Sequence, residues 1–140
     1  MLDRERILVK LDQLEGYLKE LREILPPDFS HYQKTEKRRA CERLLQVSIE
    51  AVIDICHLLV AGLRLGIAAE EDDLIDKLEG AGIISAETAQ VLKEMKGLRN
   101  ILVHEYARID DRIVYEVAST RLGDFEAFKQ QIVQYLRRTQ

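Results

Sequence analysis

Ala40, Leu44, Val47, Ala51, Ile55, Leu58 and Gly62 recur every three or four residues, and this stripe constrains the fold more than any other feature of the chain. The spacing is that of one face of an α-helix, sustained over more than about five turns. A second stripe precedes it. Ile7, Leu11, Leu14, Leu18, Leu21 and Leu25 share a face until Pro26 and Pro27 stop the helix, and a loop is expected around Asp28 to His31. A short acidic helix is read from Glu70 to Leu78, closed by Gly80, Ala81 and Gly82. Ser85 then caps a helix carrying Ala89, Leu92, Met95 and Leu98. Asp110 or Asp111 starts the last one, with Val114, Ala118, Phe125, Phe128, Ile132 and Leu136 on its buried side and Gly123 as a break in its middle. Period-two alternation, internal repeats and low-complexity segments are absent. The pattern predicts an all-α, antiparallel bundle of about five helices, one domain over residues 1–140.

At 140 residues such a domain buries a core without metal or disulfide support. Cys41 and Cys56 lie on the long helix at a spacing unlike any zinc ligand set, so they read as reduced thiols. No apolar run is read as approaching the roughly 20 residues of a membrane span, and the N-terminus lacks the apolar stretch of a secretory signal. A soluble, cytoplasmic chain is the expectation. With 21 Lys and Arg against 25 Asp and Glu, the net charge of -4 excludes a general nucleic-acid coat. The charges are nevertheless grouped. Lys34, Lys37, Arg38, Arg39 and Arg43 form a basic stretch able to hold a short RNA segment by its phosphates, while Glu70, Glu71, Asp72, Asp73 and Asp76 form an acidic one. Solvated helix faces are the plain alternative for both runs.

Between Arg99 and Tyr106 the chain reads Arg-Asn-Ile-Leu-Val-His-Glu-Tyr. Arginine supplies a permanent planar cation matched to phosphate oxygens, and histidine can take and give a proton near neutrality. Ile101, Leu102 and Val103 are expected to anchor the segment in the core. No glycine-rich phosphate loop, nucleophile elbow or paired-cysteine metal motif occurs, and no cofactor is expected.

The motif resembles the signature of the HEPN ribonucleases, specifically of HepT toxins paired with a nucleotidyltransferase antitoxin. Arg43-Leu44-Leu45-Gln46 leading to Glu50-Ala51-Val52-Ile53-Asp54-Ile55, Gly82-Ile83-Ile84-Ser85 and Val114-Tyr115-Glu116 extend the likeness over essentially the whole chain. The resemblance implies a helical homodimer with metal-independent endoribonuclease activity on RNA. It makes Arg99 and His104 the catalytic pair and Tyr106 the residue that a cognate nucleotidyltransferase antitoxin adenylylates.

Geometry constrains such a site independently. On a straight helix Arg99 and His104 are about 140° apart, so either the helix ends or distorts between them, or a two-fold axis brings copies from two subunits to one cleft. Asn100 and His104 are four apart and share a face, which lets Asn100 orient the imidazole. If the helix continues, Tyr106 lies only about 20° round from Arg99.

A second constellation, Arg43, Glu50, Asp54 and His57, follows one line along the long helix. Glu50 or Asp54 positioning Arg99 is one reading. A metal site using the i, i+3 pair Asp54 and His57 is another, although no matching set is visible elsewhere. An ion pair between helices or across a dimer is the third. Two functions therefore stand at the level of sequence: an endoribonuclease using Arg99 and His104, or a non-catalytic helical module that docks a nucleotidyltransferase and presents Tyr106 or substrate to it.

Overall fold

Asp3 opens the first helix by accepting the amide of Arg6 at 3.0 Å, and α1 runs over Arg4–Ile24. It stops where proline dictates. Leu25 precedes Pro26 and takes an extended conformation, φ -65° and ψ 124°, that a helix cannot continue. The computed structural model describes residues 1–140 and continues with α2 (Phe29–Lys34), α3 (Arg38–Gly62), α4 (Glu71–Gly80), α5 (Ala86–His104), a 3-10 turn (Tyr106–Arg108), α6 (Asp111–Thr120) and α7 (Leu122–Arg138). There is no strand.

The bundle carries seven helices rather than about five, for two local reasons. Where a loop is expected around Asp28 to His31, the chain forms α2 from Phe29, because Asp28 caps the amide of His31 at 2.8 Å. Tyr32 of this helix is fully buried, its ring 5.1 Å from that of Tyr115. The last stripe is also two helices, and the break falls at Arg121 instead of Gly123. Ser119 and Thr120 hydroxyls donate to the carbonyls of Tyr115 and Glu116, both at 2.7 Å, competing with the helical ladder just before the break.

The core is built on α1 and α3, which run antiparallel: Leu2 meets Gly62 and Lys10 meets Asp54. Gly62 is required there, since a Cβ at that position would stand 2.9 Å from Leu2 Cα. α3 is long and apolar enough by composition to cross a membrane, a length that the sequence reading passed over. Most of its apolar surface lies inside the bundle, against α1, α4 and α5, where a helix apolar on several sides belongs.

α4 begins with a capping box in which Asp73 accepts the Glu70 amide at 3.1 Å. Beyond its end Gly82, at φ +74°, lets the Ile83 amide reach back to Leu78 O at 3.0 Å. This turn directs the chain into Ser85, which caps the amide of Thr88 at 3.1 Å. α5 is thereby set beside α4, and ion pairs join them: Asp76 with Lys93 at 2.6 Å, Asp72 with Lys96 at 2.8 Å, and Glu71 with Arg99. Numbers fall along α5 as they rise along α4, so the two helices are antiparallel. The acidic run is spent on this contact as well as on solvent.

Candidate active site

α5 remains helical through Arg99, Asn100 and His104, and stops only after the histidine. Glu105 leaves the helix at φ -125° and ψ 48°, while its amide still bonds Ile101 O at 3.1 Å. Tyr106–Arg108 then form the 3-10 turn, held by the Arg108–Glu105 ion pair at 2.7 Å, and Asp110 caps α6 through the amides of Arg112 and Ile113. Of the two ways to bring Arg99 and His104 together, an end or distortion of the helix between them is therefore not the one this chain uses.

Arg99 is held from two sides. Its guanidinium is ion-paired to Glu71, and its Nε donates to Asn100 Oδ1 at 3.1 Å; only 15% of the side chain is exposed. Asn100 thus serves Arg99 rather than the imidazole, because the adjacent guanidinium folds back onto the short amide. His104, by contrast, is exposed and makes no hydrogen bond or ion pair within the chain. Leu102 alone of the three apolar motif residues is in the core; Ile101 is half-buried and Val103 is 40% exposed.

Tyr106 is 56% exposed and does not continue the helix, so the expected proximity to Arg99 along a continuous helix is lost. Its neighbour is Arg39 of α3, whose Cζ lies 4.7 Å from the ring centroid. A cation over an aromatic face contributes about 0.5 to 1 kcal/mol at exposed sites. Arg39 Nη1 also donates to both oxygens of Glu42, at 2.8 and 3.0 Å, and this carboxylate raises the arginine above its usual range. Glu42 is only 5% exposed, and a carboxylate that deep must be paired. The basic stretch is thereby brought to the motif's end, where Arg38 also reaches Asp111 at 3.4 Å.

Glu50 and Asp54 do not meet Arg99. Glu50 accepts from Gln46 Nε2 at 3.2 Å, and Asp54 pairs with Lys10 of α1 at 3.2 Å. The physical reason is the antiparallel α4, which lies alongside α5 and supplies the nearer carboxylate from Glu71. Asp54 and His57 share a shallow surface with Arg6 and Lys10, and no three His, Cys, Asp or Glu side chains converge as metal ligands. Sequence reasoning placed Arg39 and Glu71 only within charged runs, without their contacts to Tyr106 and Arg99, and it missed Glu42. For Glu71 a signal existed, since Lys93, Lys96 and Arg99 recur every third residue opposite the acidic run.

An apolar groove of about 250 Å³ opens between α5, α6 and α7, lined by Val91, Met95, Leu98, Ile113 and Val117. None of the four motif residues lines it. The end of the motif from Val103 onward stands on open surface, with Val103 and Tyr106 exposing apolar area beside the histidine.

A helical bundle that presents this motif at the end of a core helix defines a domain of the HEPN class. The family model described as Ribonuclease HepT-like matches residues 14–132. The chain is 30% identical over 131 residues to the tRNA nuclease HepT of Aphanizomenon flos-aquae, a match covering 93% of this chain and 89% of that protein. It is 38% identical over 84 residues to the mRNA nuclease HepT of Shewanella oneidensis, covering 60% and 63% respectively. Among solved structures, a toxin–antitoxin with AMP-PNP superposes with TM-score 0.87 at 28% identity over 94% of this chain and 99% of that one. The tri-AMPylated Shewanella oneidensis HEPN toxin in complex with its MNT antitoxin gives 0.84 at 29% identity, over 91% and 96%. The chain belongs to the HepT-like ribonuclease family.

Proposed function

We propose that this protein is the endoribonuclease toxin of a HEPN/MNT toxin–antitoxin pair, cutting RNA with its own side chains and no metal ion. The observation that carries this reading is the pairing of a braced arginine with a free imidazole on one helix: Arg99 held by Glu71 and Asn100, His104 exposed and unpartnered five residues on. A fixed cation suits charge that develops on a phosphate, and an unengaged imidazole suits proton transfer. His104 takes the proton of the ribose 2′-hydroxyl as that oxygen attacks phosphorus, or gives a proton to the departing 5′ oxygen. Arg99 stabilises the extra negative charge on the pentavalent phosphate. Dependence on the 2′-hydroxyl restricts the reaction to RNA.

Because both residues lie on an unbroken helix about 140° apart, the working site is a cleft between two subunits of a homodimer, Arg99 coming from one and His104 from the other. The exposed Val103 gives that contact apolar area.

Tyr106 is the control point. Its hydroxyl attacks the α-phosphorus of ATP on a cognate nucleotidyltransferase antitoxin, pyrophosphate leaves, and the phenolic proton is lost. The AMP group sets a bulky anion at the site. The AMPylated toxin among the structural neighbours and the relatives named as tRNA and mRNA nucleases support this reading. Incubating the purified protein with total RNA in excess chelator tests it: cleavage is expected, whereas intact RNA with tight binding of the antitoxin alone would leave a docking module.

A further inference from the structure

Arg39 is a surface arginine held by two contacts. Its Nη1 donates to both oxygens of the buried Glu42, and its Cζ lies over the Tyr106 ring, so the side chain is held from two sides. Half of it remains exposed, and Nε and Nη2 make no hydrogen bond within the chain. Arg43, four residues along and on the same face of α3, is exposed and has no ion pair. Arg38 differs from both, being spent on Asp111 and on Gln33 O at 2.9 Å. Two guanidinium groups with open donor edges thus run along α3 from the turn that follows His104. A chain with net charge -4 has concentrated free cations at this end of the motif.

We infer that Arg39, stacked on Tyr106 and braced by Glu42, together with Arg43 one turn along, forms the edge that binds backbone phosphates of single-stranded RNA next to the cleavage site. A planar guanidinium held as Arg39 is matches phosphate oxygens with little further ordering, and Arg43 adds a second open donor edge. A phosphodiester built on the Tyr106 oxygen would occupy the same edge, so modification of the tyrosine and binding of RNA compete for Arg39. The inference rests on the endoribonuclease reading, and the experiment separates the two.

Binding of a fluorescently labelled single-stranded RNA is measured by anisotropy across a salt series, using the full chain carrying His104→Ala to prevent cutting. Arg39→Gln keeps a hydrogen-bond donor for Glu42 while removing the charge, and Arg43→Gln disturbs no internal partner. Each should weaken binding about tenfold and reduce the slope of log affinity against log salt by about 0.7, the loss of one phosphate contact. With His104 intact, each should raise KM and leave kcat within about twofold. Tyr106→Ala should weaken binding as Arg39→Gln does, and the double variant should be no weaker than either. A wild-type affinity and salt slope for Arg39→Gln and Arg43→Gln, in a protein that cleaves RNA, overturns the inference alone. A wild-type chain that neither binds nor cleaves RNA overturns the endoribonuclease reading with it.

Discussion

Arg99 is ion-paired to Glu71 across the contact between α4 and α5, the end rung of a series that continues through Lys96–Asp72 and Lys93–Asp76. The carboxylate fixes where the guanidinium points. Glu71→Gln preserves shape and one acceptor but removes the charge, loosening the arginine without deleting it. The expected result is a kcat about tenfold lower, roughly 1.4 kcal/mol in the barrier, with KM little changed. Steady-state kinetics on an RNA substrate decide it. A faster variant would show instead that Glu71 competes with the RNA phosphate for Arg99.

Arg99→Ala and His104→Ala should each reduce cleavage by about a hundredfold or more, the usual loss for an electrostatic stabiliser or a general acid–base group. His104 is exposed and unpartnered, so its variant should keep the wild-type circular dichroism and melting temperature. Arg99→Ala leaves Glu71 without its partner and should melt lower while remaining folded. Full cleavage by either variant, or complete inhibition by chelator alone, contradicts the mechanism.

Co-expression with the cognate nucleotidyltransferase should add one or more AMP groups to Tyr106 and to no other residue, with activity falling in proportion. Peptide mass spectrometry locates the addition. A silenced protein with an unmodified Tyr106, or equal inhibition of Tyr106→Phe by antitoxin and ATP, would mean that inhibition works by steric binding.

Much of this architecture was legible in the sequence. The stripes of α1 and α3 and the Pro26-Pro27 stop could be read because they are periodic or stereochemically forced. α2 has six residues, too few to show a period, and the break at Arg121 depends on hydroxyls bonding back into the helix. Arg99, His104 and Tyr106 were visible as a local motif, whereas their partners were not. Glu71 is 28 residues from Arg99, and Arg39 is farther still from Tyr106. The first left a trace in the spacing of Lys93, Lys96 and Arg99, but which helices lie side by side, and hence the pairing of Arg39 with Tyr106, is not encoded by residue spacing along one chain. Glu50 and Asp54 miss Arg99 for the same reason, Asp54 making instead the ion pair between helices that the sequence left open, whereas Asn100 is taken by the adjacent Arg99.

Cys41 and Cys56 are buried within α3, and burial pushes their thiols up to about 11 and about 12. Both should resist thiol reagents at pH 8 until the protein unfolds. In the unfolded chain they ionise near the ordinary value of 9.0. Their contribution to stability is therefore full below about pH 9 and is lost as pH rises through about 11 to 12. Burial also raises the Tyr32 phenol, which acts in the same direction. Urea midpoints should fall over this window, and less steeply when both cysteines are replaced by alanine.

A mixed dimer distinguishes a cleft that joins one subunit's Arg99 to the other subunit's His104 from a site formed within one chain. Arg99→Ala and His104→Ala chains, co-expressed with different affinity tags and purified through both, give a heterodimer in which one cleft holds both wild-type residues and the other holds neither. A composite cleft predicts RNA cleavage at about half the wild-type rate, although each parent homodimer is inactive. A heterodimer as inactive as its parents would place both residues of each site on a single chain and contradict the composite cleft.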